Sequence, residues 1–324
     1  MGKATAVANP NIAFVKYWGK TDDALNLPAN PSLSMNLAAL TTVTTVEFRP
    51  GQAFDVVAID GHPAVEQALD RVVAHLDRVR ALAETPLGRE RARVDSRNDF
   101  PAATGLASSS SAFAALTLAA TQAAGLSLDE AGLSRLARLG SGSACRSVPA
   151  GFVLWEMEEV HQVAPAEHWD LRDAIAIVTE QAKAVGSQDG HALAPTSPLH
   201  AARVAAVPGW LAAVRDGLAR RDLAAMGPAI EADALAMHGV MMTSHPSLLY
   251  WLPATVAVLQ AVRAWRAEGL EVYFTIDAGP NVHCLCGAAA AAEVEKRLKA
   301  VPGVHQVVMS GPGAGVRLVD WHLF

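Results

Sequence analysis

Pro101-Ala-Ala-Thr-Gly-Leu-Ala-Ser-Ser-Ser-Ser-Ala112, PAATGLASSSSA, is the stretch on which the fold turns. Serine is a mediocre helix former, yet FAALTLAATQAAGL follows at once and reads as a helix. A helix start leaves four backbone N–H groups unpartnered and carries partial positive charge. Gly105 permits close backbone approach, and Ser108 to Ser111 add hydroxyl donors without bulk. An anion placed there gains roughly 0.3–2 kcal/mol from the dipole alone. A single serine would read as an ordinary N-cap. A glycine followed by so many hydroxyls reads instead as a phosphate cradle.

Other phosphate and nucleophile motifs do not fit. No GxxxxGK[ST] occurs, so the loop is not a Walker P-loop. GSGSACRS (140–147) contains a GxG but lacks the third glycine and downstream acid of a dinucleotide fold. No GxSxG is present, which counts against an α/β-hydrolase. Residues 100–128 carry no charge, but Pro101, Gly105, the serines and Gln122 make a poor membrane span. A buried helix preceded by a loop is expected.

Outward from this stretch, the first fifty residues are β-rich, with Pro, Asn and Gly as punctuation. Residues 63–84 repeat Leu and Val at helical spacing, and RARVDSRNDF predicts a strand entering the serine loop. A short helix over 129–139 ends at Gly140, and AGFVLWEMEEVHQVA and DAIAIVTEQ predict strands. Helical patterns then run through 197–206, 208–238 and 246–268. Strands LEVYFTIDAG and VHCLCG, a helix AAAAEVEKRLKAV and a last strand VHQVVMSG follow. Strands followed by helices in each half predict two α+β domains, 1–185 and 186–324, sharing a cleft.

The 324 residues suffice for a large core, and 51% hydrophobic content argues against disorder. A net charge of −6 with no polybasic run gives no support for nucleic acid or a membrane surface. Three cysteines without a CxxC predict reduced, buried thiols in a cytoplasmic protein. The N-terminal segment lacks the apolar run of a signal peptide, and Ala6 stands where myristoylation wants Ser or Thr.

Pro-x-x-x-Gly-Leu-Ala-Ser-Ser, preceded by SRN, resembles the phosphate-binding loop of the kinase superfamily of galactokinase, homoserine kinase and mevalonate kinase. NIAFVKYWGK (11–20), LNLPANPSLSMNL (25–37), GSGSACRS and YFTIDAGPNV (273–282) together resemble the diphosphomevalonate decarboxylase family. The resemblance spans residues 4 to about 319. It implies the two-domain small-molecule kinase fold, with the active site between the domains. It also implies an ATP-dependent reaction with Mg2+, in which a tertiary 3-hydroxyl is phosphorylated, phosphate leaves, CO2 is lost and a terminal alkene remains.

Asp277 ends an apolar strand before Ala-Gly-Pro-Asn, a turn that presents its carboxylate to a cleft. The resemblance makes it the catalytic carboxylate toward the 3-hydroxyl, by orientation or proton acceptance. Lys16, a charge inside AFVKYW, would snorkel as an isolated case; the resemblance places it beside Asp277. Arg146, in Ser-Ala-Cys-Arg-Ser, is assigned the substrate carboxylate, which a guanidinium grips in bidentate fashion. Tyr17, Trp18, Lys20, Ser141, Ser143 and Ser187 match positions holding the substrate and its phosphate end. Gly105, Leu106, Ala107, Ser108 and Ser109 match the ATP phosphate contacts, with Ser96 and Asn98 toward base and ribose. Gln188 departs from the pattern, since some relatives carry a basic residue there, and this leaves a singly phosphorylated substrate open. A kinase that stops after phosphorylation is a further alternative. The resemblance also suggests a homodimer.

Other features are discounted. His238 and His245 lack a third metal ligand, His283 is read as structural, and MHGVMM as core. GPGAGVR (311–317) is read as a supporting turn.

Overall fold

A computed structural model of the chain describes residues 2–100, 108–181 and 185–324. Strands β1 (Lys3–Ala8) and β2 (Asn11–Val15) come first, then a short hairpin, β3 (Lys20–Asp22) and β4 (Leu27–Pro28). After these come β5 (Ser32–Asn36), β6 (Thr42–Arg49), β7 (Val56–Ile59) and β8 (His62–Pro63). Helix α1 (Glu66–Leu82) and β9 (Arg91–Asn98) lead to the serine-headed helix α2 (Ser108–Ala123) and α3 (Glu130–Gly140). Strands β10 (Phe152–Glu156), β11 (Glu159–Ala164) and β12 (Leu171–Ile177) precede α4 (Ser187–Leu193), α5 (His200–Arg220), α6 (Leu223–Thr243) and α7 (Pro253–Ala267). The chain finishes with β13 (Val272–Thr275), β14 (Val282–Gly287), α8 (Ala291–Lys299), β15 (Gln306–Ser310) and β16 (Arg317–Val319).

These strands form one sheet ordered β16-β1-β6-β9-β7-β8, a second ordered β11-β10-β5-β2 and a third ordered β13-β14-β12-β15. Helix α2 lies on β1 and β6. Its Ala114, Ala115, Ala119 and Ala120 are fully buried, so small side chains let helix and sheet approach closely. A second core joins Phe14, Met35 and Phe152 of the middle sheet to Val214, Met226 and Ile230 of α5 and α6. The C-terminal helices thus back the strand that delivers Lys16. Among the described residues, no helix is long and apolar enough to cross a membrane.

The helical pattern expected to break between 206 and 208 does not break there. Pro208 lies inside α5, on its exposed side, while Arg203, Val207, Leu211 and Val214 form a buried face that carries the helix across it. The break falls at Arg221, which is left-handed (φ 58°), and Asp222 caps α6 through the Ala225 N–H. Residues 246–252 are not helical; α7 starts at Pro253, with the Thr255 hydroxyl accepting from Leu252 N at 3.1 Å. Strand β12, on the N-terminal side of the expected boundary at 185, pairs with β14 and β15, and β16 returns to pair with β1. The glycine turn after β15 packs tightly, as expected: a Cβ on Gly315 would lie 2.4 Å from the Val148 carbonyl oxygen.

Candidate active site

The apolar β2 runs straight into Lys16, whose side chain is 1% exposed. An ammonium so far out of bulk water requires a partner. Its Nζ donates to Asp277 Oδ1 at 2.6 Å. Asp277 follows β13, and the tight turn after it, with Gly279 N donating to the Asp277 carbonyl at 2.7 Å, aims the carboxylate back toward β2. Burial pushes the carboxyl pKa up, but the Lys16 ammonium, with His283 and Arg146, outweighs burial and the net shift is downward. Lys16 moves down from its ordinary value because burial outweighs the attraction of Asp277.

The backbone of Lys16 is held as firmly as its side chain. Its N–H donates to Asp233 Oδ2 at 2.5 Å, and its carbonyl accepts from Asn30 Nδ2 at 2.8 Å and Arg203 Nη2 at 2.9 Å. On the other side, His238 Nε2 lies 3.1 Å from the Asp277 carbonyl oxygen.

Arg146 is buried on a short 3-10 turn, 142–147. Its Nη1 donates to Ser32 Oγ at 2.8 Å, and Nε and Nη2 donate to Asn11 Oδ1 at 3.3 and 3.1 Å. A guanidinium has five N–H donors, so these bonds fix its plane without exhausting it. Burial lowers its pKa, with only partial compensation from Cys145, Asp277 and Tyr17.

One cavity brings these groups together with most of the residues expected from sequence. Lys16, Tyr17, Trp18, Lys20, Ser108, Ser109, Ser141, Ser143, Arg146, Ser187 and Asp277 all line it. Ser109 Oγ sits 3.2 Å from Ser141 Oγ, joining the head of α2 to the GSGSACRS turn. Tyr17 is wedged between Trp155 and His191, with ring centroids 4.6 and 4.1 Å away, and Trp18 stacks on His191 at 4.5 Å. Gly142 faces that tyrosine closely enough that a Cβ would lie 2.6 Å from its ring.

Ser96 and Asn98 are on β9 and are not among the residues lining the cavity. Ser96 Oγ meets Thr44 Oγ1 at 2.9 Å, and Asn98 Nδ2 donates to Asp60 at 3.1 Å. Gly105, Leu106 and Ala107 lie outside the described residues. The extra serines after Ser109 are buried, and Ser111 Oγ meets Thr42 Oγ1 at 2.6 Å, pinning the first turn of α2 to β6.

Several contributors carried no sequence signal. Arg71 reaches the cavity from α1 while donating to the Gly140 carbonyl at 3.0 Å, and it looked like any charge on an amphipathic helix. Asn11, His191 and Asp189 also line the cavity. Arg203 and Asp233 had one signal available: each is a charge on the buried side of its helix. Among the described residues, four cations (Lys16, Lys20, Arg71, Arg146) face two carboxylates (Asp189, Asp277), so the cavity suits an anion. Also among them, no group of three His, Cys, Asp or Glu could hold a metal ion. The arrangement sets an ionised carboxylate and a buried guanidinium in the same cavity as a hydroxyl-lined helix start, which fits transfer of a phosphoryl group to an anionic alcohol.

Comparison with known proteins agrees. Residues 8–166 match the family model of the diphosphomevalonate decarboxylase-like N-terminal domain, and 174–310 that of the mevalonate 5-diphosphate decarboxylase C-terminal domain. Diphosphomevalonate decarboxylase mvd1 of Aspergillus fumigatus is 35% identical over 96% of this chain and 83% of that protein. Phosphomevalonate decarboxylase of Haloferax volcanii is 36% identical over 87% of each. A solved structure described as MDDEF in complex with MVAPP, AMPPCP and magnesium superposes with a TM-score of 0.91 at 36% identity, covering 98% of this chain and 99% of that one. Motifs, fold and site geometry converge, and the chain belongs to the diphosphomevalonate decarboxylase family.

Proposed function

We propose that this protein uses ATP to phosphorylate the 3-hydroxyl of 5-diphosphomevalonate, releasing ADP, phosphate and CO2 and leaving isopentenyl diphosphate. The observation that carries this reading is the Lys16–Asp277 pair in one cavity with Ser108, Ser109 and Arg146. The head of α2 receives the nucleotide phosphates, with Gly105, Leu106 and Ala107 assigned there by the sequence resemblance, which is also the sole support for Ser96 and Asn98 toward base and ribose. Asp277 faces the alcohol and Arg146 takes the substrate carboxylate.

The carboxylate carbon of this substrate has no adjacent electron sink, so direct loss of CO2 is slow. Phosphorylation turns the tertiary hydroxyl into a leaving group. When phosphate departs with the C–O electrons, the C–C electrons of the carboxylate form the alkene and CO2 separates. Phosphoryl transfer of this loose kind depends on alignment and charge more than on a strong base. Asp277, aimed by its bond to Lys16, orients the hydroxyl or accepts its proton as the phosphoryl group transfers. Mg2+ bound with ATP offsets the polyphosphate charge; without a carboxylate cage among the described residues, the nucleotide itself would supply most of its oxygens.

Lys20, Arg71, Ser141, Ser143 and Ser187, with Tyr17 and Trp18 as walls, form the end that takes the substrate phosphates. Arg71 supplies a cation where Gln188 does not, which supports the diphosphate. Asp189 in the same lining favours the second reading, 5-phosphomevalonate giving isopentenyl phosphate. The test is release of CO2 and phosphate with ATP and each substrate. Faster turnover of the monophosphate replaces the first reading by the second, and a 3-phosphorylated product without CO2 identifies a kinase instead. The buried unpaired cysteines, Cys145, Cys284 and Cys286, fit a cytoplasmic setting. We expect a homodimer, measurable by light scattering.

A further inference from the structure

Helix α6 touches both members of the catalytic pair, and touches them through their main chains. Asp233 accepts from Lys16 N at 2.5 Å, and His238, five residues later, meets the Asp277 carbonyl oxygen at 3.1 Å. Five residues of helix span about 7.5 Å along the axis, so one rigid rod grips two chain segments that arrive from different sheets. Asp233 is itself locked by Arg203, Nη2 to Oδ1 at 2.7 Å, with both side chains out of water.

We infer that His238 is a positioning residue of the phosphoryl-transfer step: it fixes the Asp277 main chain as Asp233 fixes that of Lys16, so that α6 sets the aim of the pair. The inference rests on the role proposed above for Asp277. A carbonyl can only accept, so Nε2 carries the proton and donates. The ring is 1% exposed and packs on Trp251, with centroids 5.1 Å apart. Burial, then the nearby Lys16 ammonium, hold its pKa down to about 3, so no second positive charge competes with Lys16 for the Asp277 carboxylate. A neutral donor is what the position demands. The carboxylate is left to Lys16 and to the substrate.

The test compares His238→Leu, which removes the donor, with His238→Gln, whose amide reaches the place of Nε2, and His238→Asn, whose amide stops short. Leu and Asn are expected to lower kcat about 10- to 100-fold, the range for a displaced reacting group, with KM for ATP and substrate held within about 3-fold. Gln is expected to restore most of kcat. In an Asp277→Asn background the loss from His238→Leu is expected to shrink, because the two act through one element. A readout independent of turnover is the 13C titration of the Asp277 carboxyl in the ligand-free protein, expected to move toward 3.8 in the Leu and Asn variants and to stay low with Gln. Wild-type kcat in both Leu and Asn variants, a Gln variant as impaired as Leu, or an unmoved titration overturns the inference. A wild-type protein inactive on both mevalonate phosphates would overturn the proposed reaction instead, and the titration would still decide the role of His238.

Discussion

Arg203 and Asp233 form an ion pair at 2.7 Å with side-chain exposures of 1% and 0%, and both also bond the main chain of Lys16. Removing one partner leaves the other charge buried, so Arg203→Leu is expected to lose about 3–5 kcal/mol in urea unfolding. The double variant Arg203→Met with Asp233→Leu is expected to regain most of that stability. It should not regain turnover, because the Lys16 amide still lacks its acceptor. Recovery of both would show that the pair serves stability alone.

Asp277→Asn keeps the shape and removes the charge. Turnover is expected to fall about 10²- to 10⁴-fold, while the substrate Kd by calorimetry stays within about 3-fold. With the Asp277 carboxyl held below its ordinary 3.8, it adds no acid limb to the wild-type profile above that pH. Near-normal turnover of the asparagine variant removes Asp277 from the chemistry.

His75 is buried between α1 and α2, bonded to Thr117 Oγ1 at 2.9 Å, and burial, then Arg78 and Arg71, lower its pKa to about 3. Between 6.5 and 3 the unfolded chain binds this proton and the folded chain does not, so stability falls as pH falls through that window. His238 acts in the same direction. His75→Gln is therefore expected to flatten part of the loss in unfolding free energy, measured in urea, between pH 7 and pH 4.5, by at most about 2.7 kcal/mol. An unchanged pH dependence would assign the acid sensitivity elsewhere.

Gly142→Ala drives a methyl against Tyr17, whose ring cannot retreat because Trp155 and His191 hold both sides. KM for the mevalonate substrate is expected to rise about tenfold with KM for ATP much less affected. Steady-state kinetics decide this, and an equal rise in both would place Tyr17 outside the substrate end.

Ser111→Ala removes the tie to Thr42, and the expected cost is about 1 kcal/mol of stability. KM for ATP is the sensitive kinetic readout, since the first turn of α2 would loosen from β6. Unchanged stability and unchanged KM for ATP would leave the buried serine without a role.

The hydroxyls at the head of α2 stood out locally, whereas Lys16 in an apolar strand, Asp277 before a turn and Arg146 gained their assigned roles only through the resemblance of the motifs around them. Arg71, Asp233 and His238 were not legible, since their meaning lies in partners 39 to 217 residues away or in a cavity assembled by tertiary packing. The break expected at 206–208 was misplaced because the buried face of Arg203, Val207, Leu211 and Val214 belongs to the whole helix.

Strand β16 adds itself beside β1, Leu318 opposite Ala6, so residues met last complete the sheet begun by the first. During synthesis the outer edge of β1 therefore waits for its partner strand until more than three hundred further residues have emerged. A chain cut short before residue 317 would leave that edge open to pairing with another molecule.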